Sequence, residues 1–217
     1  MCRYVRLGAT GGIRSWASSG SWYLYGSRMH TAGARRLLVA SGIAALVGAV
    51  MWGYKGVVIL VTGDQPDYWF ELALVWFGVS ILLLASALRR QVRRSRLVTI
   101  LGWVSAVAGS VASLAYWLDG DDEGLFGPGG FVMLVSTVVF LFLVGGEVHQ
   151  RRLLGKYDFG PRLLAWLYVG AIPVGGVLSG LFGERYLEVG LLAVVAGWVI
   201  VGLGALRAPN QAPDLVA

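Results

Sequence analysis

The amino-acid sequence predicts an all-α fold, a polytopic membrane protein of six transmembrane helices with both termini in the cytoplasm. Of its 217 residues, 57% are hydrophobic and 14% are charged, whereas soluble domains carry about 25% charged residues. Six apolar stretches follow one another, and each has the roughly 20 residues needed to cross a hydrocarbon core about 30 Å thick. They cover residues 37–61, 68–88, 97–118, 129–146, 163–182 and 187–206.

Lysine and arginine are distributed unevenly between the connections. Only Lys55 and Arg185 of the 18 basic residues lie near the connections that follow the first, third and fifth stretches. Cytoplasmic loops of membrane proteins carry an excess of basic residues, so this asymmetry predicts the orientation of all six helices. The other basic residues are Arg3, Arg6, Arg14, Arg28, Arg35, Arg36, Arg89, Arg90, Arg93, Arg94, Arg96, Arg151, Arg152, Lys156, Arg162 and Arg207.

The chain divides into one membrane domain, residues 37–207, and two cytoplasmic tails, 1–36 and 208–217. The first tail is basic, contains no acidic residue and is rich in Gly and Ser, so we expect it to be disordered. Met29 is an alternative first residue, and whether residues 1–28 belong to the native protein stays open. Arginine greatly outnumbers lysine, which favours a bacterial origin and therefore the bacterial plasma membrane.

The first stretch is interrupted by Lys55. Either the helix continues and the lysine side chain extends toward the membrane boundary, or the helix ends near this residue. Small residues recur at every fourth position here and in the third stretch, which lets helix backbones approach closely in lipid, within one molecule or across a dimer. They are Ala40, Ala44 and Gly48 in the first stretch and Ser105, Gly109 and Ser113 in the third.

Aromatic residues gather at the predicted ends of the stretches, as they do at membrane interfaces. Trp76 and Trp198 lie mid-stretch instead, and we expect both to fill the core.

The fifth stretch has Pro173 near its middle, about 16 Å from Arg162 along a helix. Proline removes a backbone donor and kinks helices. Two interpretations are open: a structural kink, which is the commoner, or a substrate cavity of the kind found at broken helices in transporters. The residues of this candidate kink or cavity are Tyr168, Pro173, Gly175, Gly176, Ser179 and Trp198.

Lys55 and Glu71 are candidate ionisable residues inside the predicted spans, where a charge is costly. Their stretches are antiparallel neighbours joined by a short loop, so the two side chains can meet in an ion pair. A structural pair is the interpretation we favour, and a proton or ion relay or a ligand-coordinating pair is the alternative. No carboxylate lies mid-span, which argues against a carrier built on a central acidic residue.

Asp119, Asp121 and Glu123 match the opening of a calcium-binding loop, in which alternate acidic residues ligate the metal. The twelfth position of that pattern requires glutamate, but Gly130 occupies it. We therefore expect no metal site and interpret the segment as an acidic external loop.

The remaining composition predicts no cofactor, no nucleic-acid partner and no catalytic centre. Cys2 is the single cysteine, which excludes an internal disulfide. A serine nucleophile needs a base within reach, but His30 lies in the tail and His149 at the end of the fourth stretch. The net charge of +6 reflects the basic loops, which face lipid headgroups.

The sequence therefore predicts a non-enzymatic structural or accessory membrane subunit that packs with itself or with partner membrane proteins in the lipid bilayer. The alternative is a small permease whose site lies near the Pro173 kink. A membrane enzyme is the third possibility.

Overall fold

A computed structural model describes residues 32–66, 68–119 and 125–208 of the chain. Across these residues the fold is all-helical, and six helices are long and apolar enough to cross a membrane. The predicted all-α class and the number of long apolar helices are confirmed for this part of the chain. The six are α1 (Ala32–Thr62), α2 (Ala73–Leu88), α3 (Ser95–Asp119), α4 (Phe126–Arg151), α5 (Gly160–Phe182) and α6 (Leu187–Arg207), with short 3-10 turns at Tyr68–Leu72, Gly155–Tyr157 and Glu184–Tyr186.

Helix α1 begins at Ala32, before the predicted boundary at residue 37, and runs through Lys55 without interruption. Of the two alternatives for the first stretch, the structure therefore has the continuous helix. Most of the basic tail and residues 209–217 lie outside the described residues.

Each helix packs against the next one along the chain, and α6 also packs along α1. Because the connections are short, consecutive helices run antiparallel. The helices thus follow one another around the bundle in chain order, and the α4–α5 contact is the least extensive of the six. We call the end that carries the loops 89–94 and 152–159 the arginine-rich end, and the other the opposite end.

The centre of the bundle is filled by large side chains from several helices. The rings of Phe77 on α2 and Trp198 on α6 stack at 4.5 Å between centroids, and neither side chain is exposed. Trp198 therefore fills the core as predicted. The same prediction is wrong for Trp76, which is 38% exposed because it points away from the face of α2 that packs on the bundle.

Small residues bring the helix backbones together inside this single chain. A Cβ atom added to Gly109 of α3 would lie 2.7 Å from the carbonyl oxygen of Leu74 on α2. One added to Gly48 of α1 would lie 2.7 Å from the ring of Phe77. At these positions the small residues of α1 and α3 serve packing within the molecule.

Buried hydroxyl groups link neighbouring helices. The Ser41 hydroxyl of α1 donates to the carbonyl oxygen of Ser80 on α2 at 2.9 Å, and the Ser80 hydroxyl donates back to the carbonyl of Ser41 at 3.0 Å. Between α3 and α4, the Ser105 hydroxyl lies 2.8 Å from that of Ser136 and 3.1 Å from that of Thr137. Polar groups in an apolar interior need such partners, so these contacts help fix the helix register.

Candidate functional site

Three charged side chains meet at the opposite end of the bundle, where α1, α2 and α6 adjoin. The ammonium group of Lys55 on α1 forms an ion pair with the carboxylate of Glu71, in the 3-10 turn that precedes α2. The Lys55 side chain is 14% exposed and that of Glu71 only 4%. The structure thus brings the two sequence-predicted residues together, and each charge compensates the other where water is largely excluded.

Glu188, in the first turn of α6, is the third charged residue of this cluster. A Cβ atom added to Gly56 would lie 3.2 Å from a carboxylate oxygen of Glu188, so this carboxylate lies against α1 next to Lys55. It is half-buried and interacts electrostatically with both Lys55 and Glu71. With all three groups ionised, the cluster holds two negative charges and one positive charge.

Glu188 was not among the residues predicted for a site, although it is the second residue of the predicted stretch 187–206. A signal was present in the sequence: Lys55 lies six residues from the end of its predicted stretch, Glu188 lies one residue from the start of its own, and both of these ends are at the same predicted membrane boundary. Charged residues near the same boundary on neighbouring helices are candidates for contact.

The backbone around Glu71 is fixed by two further contacts. The buried Ser113 hydroxyl of α3 donates to the carbonyl oxygen of Glu71 at 2.7 Å. Beside the pair, the rings of Tyr54 and Phe70 stack at 5.1 Å. Contacts from α1 and α3 therefore hold the turn before α2, which positions the Glu71 carboxylate for Lys55.

A second polar contact lies deeper in the bundle, between α5 and α6. The indole nitrogen of Trp198 donates to the hydroxyl of Tyr168 at 2.8 Å, and both side chains are buried. Ser179 is half-buried, but it is eleven residues from Tyr168, about 16 Å along a helix. Tyr168 and Trp198 therefore form one contact, and Ser179 lies at a different depth.

The residues around the predicted kink point to different sides of α5. Gly175 is buried, and a Cβ atom added to it would lie 2.7 Å from the carbonyl oxygen of Leu187 on α6. Pro173 and Gly176 are exposed. The helix itself continues through Pro173.

The exposed side of α5 carries a row of residues with little or no side chain. A Cβ atom added to Gly170, Gly176 or Gly180 would meet nothing within 4 Å, and Pro173 lies on the same side of the helix. Only 22% of the apolar window of this span is buried, against 39% to 61% for the other five. Helix α5 is therefore the least covered of the six described helices.

Exposed bulky side chains border this row of small residues. Four of them lie between Tyr168 and Phe182 on α5 and are 48% to 70% exposed: Val169, Val174, Val177 and Leu181. Small and bulky apolar residues thus share the exposed side of α5. We call Gly170, Pro173, Gly176 and Gly180 with these four neighbours the α5 face.

The weak calcium candidate falls mostly outside the described residues. Asp121 and Glu123 lie in the segment 120–124, and Asp119 is the last residue of α3. Among the residues that the structure describes, no group of three or more His, Cys, Asp or Glu side chains is placed to hold a metal ion.

Comparison of the chain with protein-family models, with curated proteins and with solved structures finds no match.

Proposed function

We propose that this chain is a multi-pass protein of the bacterial plasma membrane, with both termini in the cytoplasm, that acts as a non-enzymatic structural or accessory subunit. The α5 face is the surface through which it packs against a second copy or a partner membrane protein. The observation that carries this proposal is the combination of low coverage and small residues on α5.

The physical argument rests on what drives helix association in lipid. Apolar side chains gain little by leaving lipid for another apolar surface, so association depends on close backbone packing and on shape. Gly176 and Gly180 are four residues apart, the spacing that lets a second helix approach closely. Elsewhere in the molecule, as at Gly109, such positions are already covered by a neighbouring helix.

The interior of the bundle supports the same proposal. Phe77 and Trp198 occupy its centre, and the buried hydroxyls of Ser41, Ser80 and Ser105 bond to neighbouring helices. These groups stabilise a packed bundle. The surface of α5, by contrast, offers apolar area that a partner can cover.

Self-association is tested by co-expressing two differently tagged copies, capturing one in mild detergent and detecting the other. We expect the Gly176→Ile, Gly180→Ile double variant to lose most of the co-captured copy, because the two side chains prevent close approach. The matched control replaces Gly130 and Gly146 of α4 by Ile. An added Cβ there also meets nothing within 4 Å, but both glycines lie outside the α5 face, so we expect this control to retain association.

The same captures, analysed for co-purifying membrane proteins, test the partner form of the proposal. A wild-type protein recovered as a lone monomer in membranes and in mild detergent would contradict it. Equal association of wild type and the α5 double variant would exclude the α5 face as the surface.

The alternative, a small permease with its site near Pro173, is favoured by the three charged residues Lys55, Glu71 and Glu188 on adjoining helices. Such a permease requires a path for water to the level of Pro173. Cysteine substitutions at Tyr168 and Ser179, made after Cys2→Ser, test this with membrane-impermeant thiol reagents. Labelling of both positions in native membranes supports the permease, and protection from both sides contradicts it.

Orientation is tested separately by reporter fusions after Arg93 and after Asp121. We expect cytoplasmic activity for the first fusion and external activity for the second, because basic loops stay in the cytoplasm. Placement of both residues on the same side of the membrane would contradict the six-span topology.

A further inference from the structure

A groove of about 590 Å³ opens at the arginine-rich end, between the start of α3 and the last turns of α4. Its volume falls within the range of about 300–1,000 Å³ that small-molecule sites occupy. Its lining is polar at one end and apolar at the other: Arg93, Arg94, Glu147, Val98, Phe142 and Leu143.

The polar end of this groove is held in place by Glu147. Both carboxylate oxygens of Glu147 accept the backbone N–H of Arg93, at 3.0 and 3.2 Å. The Arg151 guanidinium lies 3.8 Å from the same carboxylate. The hydrogen bonds therefore hold the loop between α2 and α3 against α4. The Arg151 guanidinium partly compensates the charge of Glu147. The side chains of Arg93 and Arg94 stay exposed at the rim.

The apolar end is formed by side chains of α3 and α4. Val98 is buried, whereas Phe142 is 41% exposed and its ring packs edge-on against Trp166 of α5 at 5.3 Å. The contact with Trp166 keeps the Phe142 ring beside the groove. The groove thus joins a cationic rim to an apolar wall on the surface of the bundle.

We propose that this groove binds an anionic phospholipid, with its phosphate at Arg93 and Arg94 and an acyl chain along Phe142 and Leu143. Two guanidinium groups match the geometry and charge of a phosphate, with which arginine forms paired charge-assisted hydrogen bonds. The cytoplasmic leaflet supplies anionic lipids that attract basic residues near its surface. This inference rests on the membrane location proposed above but is independent of the α5 face.

Lipid binding is measured by native mass spectrometry of the full chain in detergent, titrated with palmitoyl-oleoyl phosphatidylglycerol or with the zwitterionic phosphatidylethanolamine of the same chains. The test variant is Arg93→Gln, Arg94→Gln, and the matched control is Arg89→Gln, Arg90→Gln. The control removes the same charge from the same loop but not from the groove lining. We expect at least about thirtyfold weaker phosphatidylglycerol binding in the test variant, because it loses the charge-assisted hydrogen bonds of two arginines to the phosphate, and a clearly smaller loss in the control.

Two further arms separate the lipid from its soluble headgroup. Inorganic phosphate and glycerophosphate are titrated against the wild type, and phosphatidylglycerol against Phe142→Ala. We expect weak binding of both soluble anions and several-fold weaker lipid binding in Phe142→Ala, since the acyl chain loses its wall. Soluble phosphate that binds as tightly as the lipid would overturn a lipid site.

Equal losses in the two double-arginine variants would also overturn the proposal, because binding would then reflect loop charge alone. So would equal affinity for the anionic and the zwitterionic lipid. Each of these results concerns the groove only, since the α5 face is tested by co-capture and the membrane topology by reporter fusions.

Discussion

Glycine is used in two opposite ways in this molecule, on α3 and on α5. At Gly109 the neighbouring helix approaches so closely that an added Cβ atom would contact the carbonyl oxygen of Leu74, whereas at Gly176 and Gly180 the same atom would meet nothing. The residue type is the same, but the first position is covered by its own chain and the others are not. The comparison shows that a row of small residues marks a potential contact, and that only the fold shows whether the contact is already made.

The largest change in stability is expected when the ion pair of Lys55 and Glu71 is broken. Lys55→Met leaves Glu71 buried without its partner, and we expect a loss of about 3–5 kcal/mol in the free energy of unfolding. Unfolding by sodium dodecyl sulfate in mixed micelles measures this quantity.

The double variant Lys55→Met, Glu71→Met should recover most of that loss, because an apolar pair of similar size replaces the ion pair. A double variant as unstable as the single one would show that the pair contributes more than charge compensation. Glu188→Gln serves as a control that keeps the Lys55–Glu71 pair, and its effect should be smaller.

The next largest change in stability is expected at Gly109, the glycine that the neighbouring helix covers. Gly109→Ala places a methyl group against the backbone of α2, which cannot move aside as a side chain can, and overpacking of this kind costs about 1–3 kcal/mol. The same unfolding measurement detects it. Wild-type stability in Gly109→Ala would break the comparison, because it would mean that α2 and α3 have room between them.

An effect of similar size is expected for Trp198→Phe, which retains an aromatic ring beside Phe77 but removes the donor to the Tyr168 hydroxyl. An unpaired buried hydroxyl costs about 1–3 kcal/mol. Thermal unfolding in detergent measures the loss, and the double variant Trp198→Phe, Tyr168→Phe should regain part of it. If Tyr168→Phe lowers the stability of the Trp198→Phe variant as much as Trp198→Phe lowers that of the wild type, the hydrogen bond is not what stabilises this contact.

The smallest change in stability is expected on the α5 face. Gly176→Ala should leave the stability of the isolated chain unchanged or raise it by about 0.5–1 kcal/mol, since alanine favours a helix more than glycine does. Destabilisation by more than 1 kcal/mol in the monomer would show that the α5 face is covered by its own chain. This result would remove the distinction from α3.

The six apolar helices were predictable because a helix that is long and apolar enough to cross a membrane requires a run of about 20 apolar residues, which is visible in the sequence. The direction in which each side chain points was not. Trp76 and Trp198 occupy similar depths, yet one is exposed and the other fills the core. These helices carry large apolar side chains on their exposed sides as well as on their buried sides, so apolarity alone does not distinguish the faces.

The charged cluster was predictable in part. Lys55 and Glu71 lie at matching depths on helices joined by a short loop, so sequence separation alone suggested their contact. Glu188 lies more than a hundred residues further along the chain, and its approach depends on the packing of α6 along α1. That packing is a property of the tertiary fold. The hydrogen bonds from the Arg93 backbone N–H to the Glu147 carboxylate were not predicted either, because they too depend on how the helices pack.

The pairing of Lys55 with Glu71 bears on how such a chain would enter a bilayer. Helix α1 alone would present an unneutralised ammonium to lipid, and the turn that precedes α2 an unneutralised carboxylate, at a cost of up to about 2.5–3.5 kcal/mol each. Delivered together as a hairpin, the two segments arrive already neutralised. In a bilayer, entry of the two segments as a pair would therefore cost less than entry of either one alone.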